Sequence, residues 1–327
     1  MTGKLLKGLL PLVMAACGTV HAASQQAPAA PLAPTLPSLQ YDLSGNWIPI
    51  IHEDGNNRAT GGVYEIHAGL PLNEAARVRS DTYSEDETAL IELQCRRFIT
   101  PYSTRTAHAI LLITTEVAQV GDHSGPPGNQ IVAYNINYQH NGTLLGGTRT
   151  FYMDGRPHPS PLATHSFGGY STGKWIGNML HVETTHLKAY YTLRPGVPAS
   201  DERTISERWV RHGNFLTLIQ ETKDPVYLTE PLVWSMTWAK SDGPLPPSQE
   251  AFCHASPELP SVASDQRHVP SWLPGTNPNY QEVVDNFGVP ADVVRADAGA
   301  AMMYPEYRKS MKQKTSSLAV CKTQCNN

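Results

Sequence analysis

The sequence predicts a mainly β protein folded as an antiparallel barrel, with a β-sandwich as the alternative. Three observations carry this. Between residues 108 and 240 the chain breaks into short runs rich in β-branched and aromatic residues. Turn signals separate them at hairpin spacing: His140-Asn141-Gly142, Gly177-Asn178 and His212-Gly213-Asn214. Finally, 14 Tyr, 6 Trp and 27 Pro suit an aromatic-faced sheet better than a helical bundle. Many short antiparallel strands with tight turns fit an up-and-down, lipocalin-like barrel.

In chain order, residues 1–22 read as a secretory signal peptide. Lys4 and Lys7 precede an apolar run from Leu9 to Ala16, and Val20-His21-Ala22 supplies small residues for cleavage after Ala22 or Ala23. The run is too short to span a bilayer stably, so no transmembrane segment is expected. Met14-Ala15-Ala16-Cys17 also fits a lipoprotein box, which would anchor the chain at Cys17. The expected location is periplasmic or secreted, an oxidising compartment. There Cys95, Cys253, Cys321 and Cys325 allow three disulfide pairings, and their spacing matches neither a thioredoxin motif nor a full zinc set.

Residues 23–38 form an Ala/Pro-rich linker. The barrel domain is expected over 39–241, with strands at 108–120, 130–138, 144–153, 173–190, 203–211, 215–223 and 233–240. Residues 242–327 begin as a Pro-rich strap and end in two short helices, with Gly288 placed to cap the first and Pro290 to open the second. The net charge of −4 and 17% charged residues give no footprint for nucleic acid.

Two hairpins can be worked out residue by residue. A Gly177-Asn178 turn puts Trp175, Leu180, Val182, Thr184 and His186 on one apolar, inward face. A three-residue His212-Gly213-Asn214 loop would pair Arg211 with Phe215. That register puts Ile205, Glu207, Trp209, Phe215, Ile219 and Glu221 on one face, with Glu207 and Glu221 as diagonal neighbours. Carboxylates on an aromatic, apolar face suit a general acid or base. The opposite face, with Val210, Leu216 and Leu218, is also apolar.

Asp154-Gly155-Arg156-Pro157-His158-Pro159 is the densest patch of chemistry. Each residue before a proline is held extended, so Arg156 and His158 sit on a stiff exit from a strand. They could bind an anion and move a proton, or Asp154 and Arg156 could latch the crossing with an ion pair. Glu183 and His186 point to opposite faces of a strand and cannot chelate one ion there. No metal motif occurs. The expected cofactor is none, with zinc as the alternative. Gly169-Tyr170-Ser171-Thr172-Gly173 matches G-x-S-x-G by spacing, but it runs into a hairpin and not a helix.

The segments "YMDGRPHP", "GYSTGKWIGNMLHVETTHL", "DPVYLTEP" and "LPGTNPNYQEVVDNFGVPADVV" resemble a widespread family of exported, functionally uncharacterised bacterial proteins. Members commonly carry G-H-S-x-G-x-W where this chain has Tyr170 at the histidine. The resemblance covers nearly all of the chain after the linker and implies export, but no activity.

Three functional classes are compatible with these residues. The first is a cofactor-independent acid/base enzyme (isomerase, hydratase or lyase) acting on a small apolar organic substrate. In it His186, Glu207 and Glu221 would transfer protons, while Asp154, Arg156, His158, Tyr170 and Trp175 would bind the substrate. The second is a lipocalin-like binding protein without turnover. The third is a structural, envelope-associated protein in which the Asp154–Arg156 pair is only a latch.

Overall fold

The computed structural model describes residues 42–50, 70–84, 100, 104, 110–120, 128–139, 147–193, 196–243, 271–287, 290–295 and 297–310. The leader, the linker, Cys17, Cys95, Cys253, Cys321, Cys325, the His140-Asn141-Gly142 turn, Gly288 and most of the Pro-rich strap lie outside them.

Eleven strands are described. They are β1 (Gly45–Pro49), β2 (Ile110–Val120), β3 (Gly128–Gln139), β4 (Gly147–Tyr152), β5 (Tyr170–Ile176), β6 (Met179–Thr185), β7 (Tyr190–Leu193), β8 (Val197–Ala199), β9 (Thr204–His212), β10 (Phe215–Lys223) and β11 (Leu232–Ser241). Nine of them close a barrel in the order β1-β11-β10-β9-β6-β5-β4-β3-β2, and β7 pairs with β8 in a separate hairpin. The barrel expectation therefore holds over the sandwich. Its neighbours are antiparallel except at β4–β5, where Phe151 and Tyr152 pair in parallel with Ser171 and Thr172.

Parallel neighbours need a crossover. Residues 153–169 supply it along the outside of the barrel, and they are the proline-stiffened stretch read from the sequence. The crossover re-enters the sheet at Gly169, with φ +71°. A Cβ there would lie 2.7 Å from Thr184 Cγ2 and 2.8 Å from the Thr185 carbonyl oxygen, so only glycine fits this approach.

The β5–β6 hairpin turns at Gly177-Asn178, with Ile176 opposite Met179, as expected. The β9–β10 hairpin differs from expectation by one residue. His212 pairs with Phe215 across a two-residue Gly213-Asn214 turn. A one-residue slip exchanges the faces of one strand relative to the other. The interior therefore receives Ile205, Glu207, Trp209 and Arg211 from β9 with Leu216, Leu218, Gln220 and Thr222 from β10.

One end of the barrel is filled by aromatic rings. Trp47, Trp209 and Trp238 are fully buried, and Trp209 stacks on Trp238 at 5.7 Å between centroids. At about 150–250 Å² per ring and about 25 cal/mol/Å², each contributes about 4–6 kcal/mol as an upper figure. Leu111, Ile113, Tyr134, Ile136, Phe151, Leu180, Val182, Leu218 and Met236 complete this core.

Helix α1 (Glu74–Asp81) begins at Asn73, whose side chain accepts from the Ala76 N–H at 2.9 Å. It packs toward β8, with the Ser80 hydroxyl donating to the Gly196 carbonyl at 3.1 Å. The C-terminal helices are α2 (Pro278–Phe287), α3 (Ala291–Val294) and α4 (Pro305–Ser310). The segment leading into α2 is tied to the end of α1: Trp272 donates its N–H to Thr82, and the Asn277 side chain donates to Asp81. No described helix is long and apolar enough to cross a membrane.

Candidate functional site

Above the aromatic floor the barrel interior turns polar. Strand alternation sends Arg149 inward from β4 beside Phe151, and Glu207 inward from β9 beside Trp209. The two meet as a bidentate ion pair. Arg149 Nη2 donates to Glu207 Oε2 at 2.7 Å, and Nη1 donates to Oε1 at 3.1 Å. Their side chains are 3% and 0% exposed, so water neither screens nor competes for the pair.

A ring of neutral groups surrounds it. Arg149 also donates to Thr184 at 2.9 Å, Ser171 at 3.2 Å and the Tyr138 hydroxyl at 3.3 Å. Gln220 Nε2 donates to Glu207 Oε1 at 3.0 Å. Gln220 Oε1 in turn accepts from Trp234 Nε1 at 2.5 Å and from Thr104 at 3.4 Å. Burial opposes the Arg149 charge, but Glu207 and Tyr138 together more than offset this and hold the guanidinium firmly protonated. Burial pushes the Tyr138 hydroxyl up to about 12, and the nearby Arg149 charge opposes that rise. Among the described residues, the buried donors Arg149 Nε and Trp209 Nε1 have no protein partner.

The sequence-predicted residues fall into separate places. Glu207 is in this layer. Glu221 faces the outside of β10 and pairs with Lys223 at 3.0 Å, so the two glutamates do not share a face. Trp175 packs half-buried against the core, edge-on to Tyr134 at 6.4 Å.

His186 lies just past β6 with φ +56°, where strand alternation has ended. Its ring is turned to the crossover and not to Glu207. His186 Nε2 donates to the Ser160 carbonyl at 2.9 Å. The remaining ring nitrogens fit one oriented chain. Thr172 donates to His158 Nε2 at 2.8 Å, His158 Nδ1 donates to Thr185 Oγ1 at 2.7 Å, and Thr185 donates to His186 Nδ1 at 2.7 Å. This chain satisfies both rings in their neutral forms and fastens the crossover to β5 and β6. His165 packs on His186 at 5.2 Å between centroids and donates to the Leu187 carbonyl at 3.0 Å.

Asp154 and Arg156 form an exposed bidentate pair, with Arg156 Nε 2.9 Å from both carboxylate oxygens. The guanidinium lies 4.0 Å over the Tyr152 ring, and Tyr170 packs between Tyr152 and His158 at 5.2 Å and 5.6 Å. Asp154, Arg156, His158 and Tyr170 thus come together on the outer wall, away from the interior pair. Among the described residues no group of three or more His, Cys, Asp or Glu is placed to hold a metal ion.

Sequence reasoning missed Arg149, Tyr138 and Gln220; it put Thr184 on the inward face, where it is, without a role, and weighed Ser171 only within the G-x-S-x-G spacing. The readable signal for Arg149 was its two-residue spacing from Phe151 in "TRTFY", which gives both one face. No family model, no curated protein and no solved structure matches this chain.

Proposed function

We propose that this chain is an exported, lipocalin-like binding protein whose barrel takes a small, largely apolar molecule. The engagement of Glu207 is the observation that carries the reading. A general acid or base must reach a substrate proton at about 2.6–3.2 Å. Here both Glu207 oxygens already accept from Arg149, and one also accepts from Gln220. What the interior offers instead is an aromatic wall and, among the described residues, unpartnered donors that include Arg149 Nε and Trp209 Nε1. An apolar wall with a few convergent polar groups suits a ligand that carries an acceptor oxygen.

The test is a titration of the full chain with the neutral fluorophore N-phenyl-1-naphthylamine, read through quenching of the buried tryptophans. Saturable uptake, competed by small apolar molecules bearing a carbonyl or ether oxygen, is expected. A folded protein that takes up no probe overturns the reading. Turnover of such a molecule that Glu207→Gln abolishes would restore the acid/base enzyme. Export is supported by the leader-like residues 1–22 and by the resemblance to exported bacterial proteins. N-terminal sequencing of the mature chain should begin at Ala23 or Ser24, and an intact Met1 would refute export by cleavage.

A further inference from the structure

A second arginine is buried at the same end of the barrel, and its situation is the reverse of Arg149. Arg203 occupies the next position along the Ile205–Glu207–Trp209 stripe and is 1% exposed. Its Nη1 donates to the carbonyl oxygens of Ser200 at 2.5 Å and Lys188 at 3.0 Å. Among the described residues its Nε and Nη2 have no partner. Those two nitrogens form the side edge of the guanidinium, whose parallel N–H bonds match the two oxygens of a carboxylate.

The carboxylate of Asp224 is committed elsewhere. Asp224 Oδ1 accepts from the Ser200 hydroxyl at 2.7 Å and from the N–H groups of Val226 at 3.0 Å and Tyr227 at 3.2 Å. Its Oδ2 accepts from the Ser200 N–H at 2.7 Å. Asp224 and Asp201 act on Arg203 only through space, and burial outweighs them, pushing its pKa down to about 10. A neighbouring hydroxyl is in the same condition. Thr222, opposite Ile205 on β10, is 1% exposed and its Oγ1 is unpartnered. A buried guanidinium edge facing no acceptor is costly, and so is a buried hydroxyl.

We propose that Arg203 is an anion-binding residue whose free Nε–Nη2 edge takes the carboxylate of a small organic acid, with Thr222 as a second polar partner. This rests on the binding reading above and sharpens it. The ligand is an acid, held at its charged end by Arg203, with its apolar part along the interior stripe.

The probe pair is benzoate and benzamide, which share a shape and differ in charge. Wild type, Arg203→Met, Arg203→Lys and Thr222→Val are compared by thermal unfolding and calorimetric titration of the full chain. Benzoate at a hundredfold its Kd should raise the wild-type Tm by about 5–10 °C, and benzamide at the same concentration should raise it by much less. Arg203→Met should lose the benzoate response; without ligand its Tm carries two opposing changes, relief of the unmet charge and loss of the donor to the Ser200 and Lys188 carbonyls. Arg203→Lys should keep a weakened response, because a point charge replaces the fork. Thr222→Val, which leaves the charge in place, should weaken benzoate binding severalfold and keeps the test open if Arg203→Met fails to fold.

Equal responses to benzoate and benzamide, a full benzoate response in Arg203→Met, or no benzoate response in wild type would each overturn the assignment. If N-phenyl-1-naphthylamine still binds saturably in those cases, the carboxylate assignment fails and the binding reading survives. If the fluorophore also fails, both fall.

Discussion

Replacing Glu207 by Gln tests the interior layer with the smallest steric change. In wild type both carboxylate oxygens accept from Arg149, and Oε1 also accepts from Gln220. An amide offers one acceptor and one NH2. Placed at the Oε2 position, the NH2 meets Arg149 Nη2. Placed at Oε1, it meets Arg149 Nη1 and Gln220 Nε2. Either flip puts donor against donor, and the 3%-exposed guanidinium loses its counter-charge. Breaking a buried pair from one side costs about 3–5 kcal/mol. At about 2–4 °C per kcal/mol for a domain of this size, Tm should fall by about 6–20 °C. The control is Arg149→Met with Glu207→Leu. It removes both charges but strands the Tyr138 hydroxyl and one Gln220 donor, at about 1–3 kcal/mol each. The double variant should therefore lose less than the two single changes summed, a coupling readable in a double-mutant cycle from urea melts. Additive losses, or a Glu207→Gln variant melting within about 2 °C of wild type, would refute the reasoning.

Three further outcomes follow from other parts of the molecule. Burial holds the His158 pKa below its ordinary value of 6.5, with the His186 charge adding to this and Glu183 opposing it. Neutral His158 therefore contributes stability that is full above that pH and lost as pH falls, so the slope of Tm between pH 7.5 and 5 should flatten in His158→Gln; an unchanged slope would place the titration elsewhere. Asp154→Asn breaks an exposed pair and should cost no more than about 1 kcal/mol in a denaturant melt, despite its bidentate geometry. A Cβ at Gly169 strikes Thr184 and the Thr185 carbonyl, whereas one at Gly177 meets nothing within 4 Å. Gly169→Ala should cost about 2–5 kcal/mol and Gly177→Ala about 1–2, and equal losses would remove the close-approach argument.

The strands were legible because turn dipeptides bracket alternating apolar runs, and hairpins are local. The β5–β6 register followed from Gly177-Asn178 alone. The β9–β10 register did not, because both faces are apolar and hydrophobicity could not choose between a two- and a three-residue turn. His186 was assigned inward by carrying alternation past the residue where it stops, at φ +56°. Arg149 stands between threonines on a short strand, and its counter-ion is 58 residues away on β9, so only closure of the sheet makes it an interior group. Asp154 and Arg156 were the easiest pair to read, since their partnership lies within one turn of chain.

The β4–β5 junction also bears on how the barrel assembles and breathes. Every other junction is a longer antiparallel ladder, whereas this one rests on Phe151–Ser171 and Tyr152–Thr172. No ladder joins residues 173–176 to β3 or β4 among the described residues, and Met153 wedges against Gly173 beside them. The other junctions join the remaining strands into one continuous curled ribbon from β5 round to β4, so this short contact is the weakest join in the cylinder. Its partners are joined by only the 17-residue crossover, whereas Asn46 on β1 pairs with Ser241 on β11 from opposite ends of the barrel sequence, so the larger loop-closure cost falls on the β1–β11 ladder. The β4–β5 contact has the fewest paired residues, so it should be the first to part in native-state opening. The amides of Ser171 and Thr172 should therefore exchange with solvent before those in the middle of the longer ladders.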